Sequence, residues 1–447
     1  MSGQSPTLLQ SLAEILARPA TPADRQRAIL HVLDWLGCAV AGASAEAAVL
    51  LKRATSEPGA VPLIGGGTAS PLSAALINGA MGNVLEMDDV HRQAILHPGP
   101  VVVPAALSAT IAAKREVTDF LDAIVRGYEA VIRIGQAVGA AHYRYFHNTA
   151  TCGPFGAAAA AGSAFQLQTE EWVWALANAG SLAGGLWQMR HEPCMTKQLH
   201  AGHAAQSGLR AAQLARVGFT GPAGLLEGEQ GFFAALCPDG AADKVVANPH
   251  APWALHEVSF KPWPACRHAH AAIDAAMHLS DEIEVDTIEA VSVETYADAV
   301  KFCDRTTPST VLEAKFSIQH AVAMVLLHGR PALEHFEPQA VHDPSVVRLR
   351  ERVTVRDHPQ FSEVFPDHYG ARVKVRTTQG DHHDAMVRDA FGDPEWPMST
   401  DDLRDKAHML MKSGGMGDAA IDDLCDATLA LLDHPFADWC ALLEGSQ

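Results

Sequence analysis

Between Leu76 and Pro104 the chain reads LINGAMGNVLEMDDVHRQAILHPGPVVVP, so that Asp88, Asp89, His91, Arg92 and His97 all fall within eleven residues of Glu86. Carboxylates and imidazoles at this density suit proton transfer, because an imidazole changes charge near neutral pH and a neighbouring carboxylate orients it. The pattern opens as a helix. Helical spacing would put Asn83, Glu86 and Asp89 on one face, since residues three apart stack above one another, and would turn Asn78 elsewhere. His97-Pro98-Gly99-Pro100 must then stop the helix. A solvated helix end has the same composition, and three further clusters decide between the two readings.

The first is YRYFHNTATCGPFG (143–156), which sets His147 in a polar turn before an Ala-rich helix. The second, MTKQLHAGHAAQSG (195–208), places Lys197 before a helix that carries His200 and His203 near its start. Free backbone N–H groups and the positive end of the dipole favour a carboxylate there, and an ammonium strengthens that field. The third, FKPWPACRHAHAAIDAA (260–276), puts Lys261, Arg267, His268 and His270 at the leading edge of another helix. Cations are disfavoured at that end, so the arrangement calls for an anionic ligand or an acidic neighbour. Two cationic helix starts beside an acid–imidazole loop fit a small di- or tricarboxylate. The matching chemistry is removal of a proton α to a carboxylate, with the cations stabilising the charge that develops. No cofactor is required for it. The pairs His200/His203, His268/His270 and His382/His383 lack HxxxH or HExxH spacing, so no metal site is expected. No GxSxG supports a serine nucleophile. The rivals are a metal-dependent hydrolase and a non-catalytic helical scaffold; the scaffold would scatter the clusters over separate faces.

These clusters need a frame. At 447 residues the chain is too long for one typical core. Helical periodicity dominates to about residue 255, with helices expected at 21–42, 46–56, 70–88, 101–114, 117–140, 153–166, 169–188 and 199–217. Runs such as GPFGAAAAAGSAF and HAGHAAQSGLRAAQLA let helix backbones approach closely. Gly65–Gly67 read as a turn. Near 258 the texture changes to a short strand, helices and the alternating runs IEAVSVETY, VVRLRERVTVRDH and ARVKVRTT, before helices resume at Ser399. The expected fold is therefore mainly α with a smaller α+β domain. Residues 1–258 and 398–447 form a discontinuous helical bundle and 259–397 the insert, and the default place for a ligand is between the two. A net charge of −19, from 33 basic and 52 acidic residues, excludes a broad nucleic-acid face. No run approaches a membrane span, and the first twenty residues read as an amphipathic helix rather than a signal peptide. Eight scattered cysteines without a CxxC suit a reducing cytoplasm.

The sequence also resembles the MmgE/PrpD family. The resemblance is carried by NGAMGNVLEMDDVH…HPG, FHNTATCGPFGAAAAAG, TKQLHAGHAAQSG, GFTGP…LLEGEQGFF, KPWPACRHAHAAIDA, AKFSIQHAVA and GDPEWPMS, in family order from about 30 to 410. That family includes 2-methylcitrate dehydratases, cis-aconitate decarboxylases and an iminodisuccinate epimerase. The resemblance implies a discontinuous helical domain, a smaller α+β domain, a homodimer and a metal-free site at the domain interface. It implies an active-site acid within Glu86–Asp89, active-site histidines at His97 and His147, and substrate-binding lysines at Lys197 and Lys261. Two positions depart from the family pattern, Val90 where a Thr is frequent and His320 where a Tyr is usual. The expected activity is a dehydratase-type lyase, with epimerase or decarboxylase as alternatives. His97 or His147 would move the proton, Asp88 or Asp89 would orient an imidazole, and Lys197, His200, Lys261, Arg267, His268 and His320 would face the substrate.

Overall fold

The computed structural model describes residues 5–192 and 194–445. The chain forms two compact units, Met1–Val258 with Ser399–Gln447, and Ser259–Met398.

The first unit is helical. Its frame is α1 (Pro22–Gly42), α2 (Pro71–Asn83), α3 (Gly99–Ala113), α4 (Val117–Ala137), α5 (Asn148–Phe165) and α6 (Thr196–Arg216). α1 starts where the sequence signal is strongest. Thr21 Oγ1 accepts from Asp24 N, Asp24 Oδ2 accepts from Thr21 N, and Pro22 supplies a first-turn residue with no N–H to satisfy. Every residue of α5 is buried, which explains its composition: a helix packed on all sides has no polar face. Glycine sets how closely its neighbours come. A Cβ on Gly202 of α6 would overlap the Leu76 carbonyl oxygen of α2, and one on Gly156 of α5 would lie 2.9 Å from the Gly127 carbonyl oxygen of α4. After the insert the chain returns as the helix Thr400–Ser413, which packs on α1 with Ala407 Cα only 3.0 Å from where a Cβ on Gly37 would stand. Gly65–Gly67, all at positive φ, make the turn between the two-residue strands Val61–Pro62 and Thr68–Ala69.

The second unit is a four-stranded mixed sheet with helices packed on it. β1 (Ile288–Thr295) runs parallel to β2 (Val353–Asp357) with Val291 opposite Val353, and antiparallel to β3 (Ala371–Thr377) with Val291 opposite Val375. β4 (His382–Val387) adds to β3, giving the order β2-β1-β3-β4. Val291, Val293, Val373 and Val375 alternate onto the buried face, where the helices His270–Ser280 and Ile318–His328 pack. The fold class expected from sequence is the one observed.

Several boundaries differ from expectation. The strand expected near 258 is an irregular segment, with Phe260 N donating to Gly392 O at 3.0 Å. The AKFSIQHA helix is interrupted, because Ser317 caps a new helix from Ile318. A last helix, Phe436–Glu444, was unanticipated. Among the described residues no single helix is long and apolar enough to cross a membrane.

Candidate active site

The loop after α2 is built differently from the helical reading. α2 ends at Asn83, and Glu86 adopts a left-handed backbone with φ 61°, so Asn83, Glu86 and Asp89 share no helical face. The turn folds the segment back on itself, and Asn83 Nδ2 donates to Asp88 Oδ2 at 2.7 Å.

The two adjacent aspartates do different things. Asp89 is buried and accepts from Tyr128 Oη at 2.6 Å and from Gly99 N at 2.8 Å, with His31 Nδ1 at 2.8 Å. It thereby ties the loop to α1, α3 and α4. Burial, then the Asp89 charge, hold the Tyr128 phenol well above its usual pKa, while burial pulls His31 down against the pull of Asp89. Asp88 instead faces His97. His97 Nδ1 lies 3.0 Å from Asp88 Oδ2 and 2.9 Å from the Asp89 carbonyl oxygen, and its backbone N–H donates to Thr149 Oγ1. Two acceptors at Nδ1 assign the proton of the neutral ring to that nitrogen and leave Nε2 as its basic atom.

A second imidazole stands at the start of α5. α5 begins five residues earlier than expected, at Asn148, so His147 occupies its N-cap position, held by its N–H to Gly185 O at 3.0 Å. Its Nδ1 is 3.2 Å from His200 Nδ1, and its ring lies 4.7 Å from that of Trp187. Burial, then Lys197, His200 and His97, hold His147 well below the ordinary histidine pKa, so it is neutral at neutral pH. His200 is pushed down to about 4 by burial and by His203 and Lys197. α6 starts at Thr196, which places Lys197 inside its first turn rather than before it. The Lys197 ammonium pairs with Glu86. An acid–imidazole pair, a neutral imidazole and an ammonium thus gather in one electrostatic neighbourhood, with Glu86, Asp88, His97, His147, Lys197 and His200 all contributing.

In the second unit the Arg267 charge is met by an acidic side chain of the same unit. Arg267 pairs with Asp393, and its Nη1 lies 3.0 Å from His270 Nδ1. The offsetting partner required at this helix start is therefore an acidic side chain supplied by the fold. His268 is a core residue: its Nδ1 is 2.7 Å from Tyr296 Oη, and its ring stacks between Phe302 and Tyr369, each within 4° of parallel. Burial, then Arg267 and Lys261, push it down to about 3. His320 is fully buried, with Nε2 2.9 Å from the His335 carbonyl and Nδ1 3.5 Å from Arg350 Nη1. His268 and His320, expected to face a substrate, are thus each bonded and packed within the second unit. Lys261 is buried as well.

The buried partners beneath the loop were not foreseen. His31 and Tyr128 sit singly in apolar helical runs, and Asp34 joins Lys406 across 372 residues of sequence. A polar residue inside an apolar run was the available signal, but it names no partner. The described residues also include one group with metal-ligand spacing, His368, Asp389 and Glu395. There His368 Nδ1 meets Asp389 Oδ1 at 2.6 Å and Nε2 meets Arg388 Nη2 at 2.8 Å, so its ring nitrogens already serve an ion pair.

Comparison with known proteins agrees with this architecture. The MmgE/PrpD N-terminal domain matches residues 10–244 and the MmgE/PrpD C-terminal domain residues 263–429. Cis-aconitate decarboxylase of Aspergillus terreus is 26% identical over 432 residues, covering 90% of this chain and 88% of that protein. Cis-aconitate decarboxylase of Homo sapiens is 29% identical over 355 residues, 75% and 72% of the two chains. 2-Methylcitrate dehydratase of Salmonella typhimurium is 27% identical over 228 residues, 47% of each. With both domains matched in order, and the N-terminal match alone spanning more than half the chain, this protein belongs to the MmgE/PrpD family.

Proposed function

We propose that the protein is a cofactor-independent lyase that removes a proton α to a carboxylate of a small di- or tricarboxylate. The observation that carries this reading is the Asp88–His97 pair, which leaves Nε2 of a partly exposed imidazole as a base. In the proposed step the C–H bond breaks and its proton moves to His97 Nε2. Asp88 stabilises the imidazolium, and the Lys197 ammonium, exchanging Glu86 for the substrate carboxylate, stabilises the charge that develops there. His147, kept neutral by its surroundings, is the second imidazole and donates a hydrogen bond to the departing group. In dehydration the electron pair forms C=C as hydroxide leaves, and the hydroxide takes the proton held by the His97 imidazolium to become water, which returns the ring to neutral. The proposed step draws on residues of the first unit alone.

Decarboxylation is the second reading, favoured by one observation. The relatives matched over most of this chain are named cis-aconitate decarboxylases, whereas the Salmonella dehydratase is matched over less than half. There the C–C bond to a carboxylate breaks, carbon dioxide leaves, and the carbanion takes a proton from His97 in its imidazolium form, whose ring becomes neutral. Incubating the protein with citrate, 2-methylcitrate and cis-aconitate in heavy water, followed by NMR, separates the outcomes. Dehydration gives a new alkene, decarboxylation gives carbon dioxide and a product with deuterium at the carbanionic carbon that takes up the proton, and epimerisation gives exchange and inversion at a stereocentre with no alkene. None of the three across the panel overturns the assignment.

The proposal includes a homodimer, supported by adjacent exposed apolar side chains at Tyr145 and Leu186, each 58% accessible on neighbouring bonded segments. Sedimentation at micromolar concentration tests it. A cytoplasmic location is proposed on the eight free thiols.

A further inference from the structure

We infer that Lys406, from the segment that follows the inserted unit, is a positioning residue that fixes the Asp88–His97 pair from beneath.

Lys406 is buried on the helix Thr400–Ser413 and makes two contacts of different kinds. Its Nζ donates to Asp34 Oδ1 of α1 at 2.5 Å, and to the Met87 carbonyl oxygen at 2.6 Å. The first contact is an ordinary helix-to-helix ion pair, which apolar side chains of similar volume could replace without loss of fold. The second is not needed to join those helices. The Met87 carbonyl belongs to the same rigid peptide plane as the Asp88 N–H, so holding it fixes the backbone entering Asp88. The backbone leaving Asp88 is fixed by Asp89 through His31, Tyr128 and Gly99. Asp88 is therefore clamped on both sides, and its carboxylate is aimed at Asn83 Nδ2 and His97 Nδ1. Burial alone would lower the Lys406 pKa, but the Asp34 carboxylate raises it above the ordinary lysine value, so the clamp keeps its charge and its donors through neutral pH. Asp88 lies close enough to feel that charge as well. The chain thus has a physical reason to return to its first unit after the insert, beyond completing the bundle.

The catalytic part of this inference rests on the proposed function; the geometric part does not, and the test separates them. Asp34→Leu with Lys406→Met removes the ion pair and the contact to Met87 together while leaving no unpaired buried charge. The expected protein folds with a melting temperature within a few degrees of the parent, loses at least tenfold in kcat, and keeps KM within about twofold. Nitrogen-15 spectra of histidine-labelled protein, with His97 identified by His97→Asn, report the ring tautomer without any substrate. The parent shows Nδ1–H at His97, and the double variant shows a mixture with Nε2–H. Should the apolar pair not fold, Asp34→Asn with Lys406→Gln keeps polar partners in the core while a side chain one atom shorter loses Met87, and the same readings apply. A folded variant with the parental tautomer overturns the inference, whatever its turnover. A changed tautomer in a protein that transforms no polycarboxylate upholds the clamp and rejects the proposed function instead.

Discussion

Replacing Asp88 by Asn tests the proposed base directly, because it changes charge while nearly preserving shape. Asp88 Oδ2 meets both Asn83 Nδ2 and His97 Nδ1, and a carboxamide oxygen can occupy the same place, so the loop keeps its path. What is lost is a negative charge 3.0 Å from a ring that must become positive when it takes a proton. Opposite unit charges at that distance attract by about 5.5 kcal/mol at an effective dielectric of ~20. With about half of the proton transferred in the transition state, the loss is about 2.7 kcal/mol, or roughly a hundredfold in kcat. The carboxamide oxygen held at that place still accepts from Nδ1 and, together with the Asp89 carbonyl oxygen, keeps the tautomer, so a larger loss is not expected. The assay is steady-state turnover of whichever polycarboxylate the panel identifies. Asp88→Asn, His97→Asn and the double variant are compared, with circular dichroism confirming the fold. His97→Asn should lose more than Asp88→Asn, and the double variant should be no worse than His97→Asn, since Asp88 acts through the ring. Activity of Asp88→Asn within about threefold of the parent would refute the reasoning, and so would losses that simply multiply in the double variant.

Asp89→Asn is expected to act on stability instead. It breaks a buried network shared with His31, Tyr128 and Gly99, so unfolding free energy drops by about 3 kcal/mol or more, read by denaturant titration; a stable but inactive variant would contradict the division of labour between the aspartates. Lys197→Met should lower kcat/KM about a hundredfold or more by removing the cation that meets developing carboxylate charge, and a change of less than threefold would remove Lys197 from the site. Stability should also follow pH with a definite sign. His147 lies well below the ordinary value, and His200, His268 and His320 lie at about 4, 3 and 4, all depressed first by burial, so below pH ~6.5 the unfolded chain binds protons that the folded one refuses. Their contribution is complete above that pH and is lost as pH falls toward 4. Asp274, raised to about 6 by burial, opposes the trend in the lower part of the window. A melting temperature that holds level or rises from pH 7 to pH 5 would show that these rings are protonated in the folded state.

Composition and periodicity made the helices legible because burial writes itself into sequence. An 18-residue helix buried on all sides must be Ala- and Gly-rich, and the segment from Asn148 to Phe165 is. A sheet with one buried face must alternate, as ARVKVRT does. The crowded loop was legible as chemistry but not as geometry. Its helical face fails because the chain turns left-handed at Glu86, a conformation that no Gly or Asn there announced. The local composition did not say that Asp88 would meet an imidazole nine residues on while Asp89 met three groups from three other elements.

That difference exposes the limit of reading a site from clusters. Arg267, His268 and Lys197 all looked like ligand holders because each is a cation at a helix start. Charge at a helix start is a demand that something answer it, and only the folded chain shows what does. For Arg267 the answer is Asp393, and for His268 it is a stack of aromatic rings; both were drawn from more than 25 residues away. For Lys197 the answer is Glu86, a carboxylate of the same loop as the Asp88–His97 pair, and in the proposed function a substrate carboxylate replaces it there. On that proposal Glu86 holds the ammonium in position between turnovers, so Glu86→Gln should leave Lys197 without its charged partner and slow the chemistry less than Lys197→Met does. The reverse order would mean that Glu86, not His97, takes the proton.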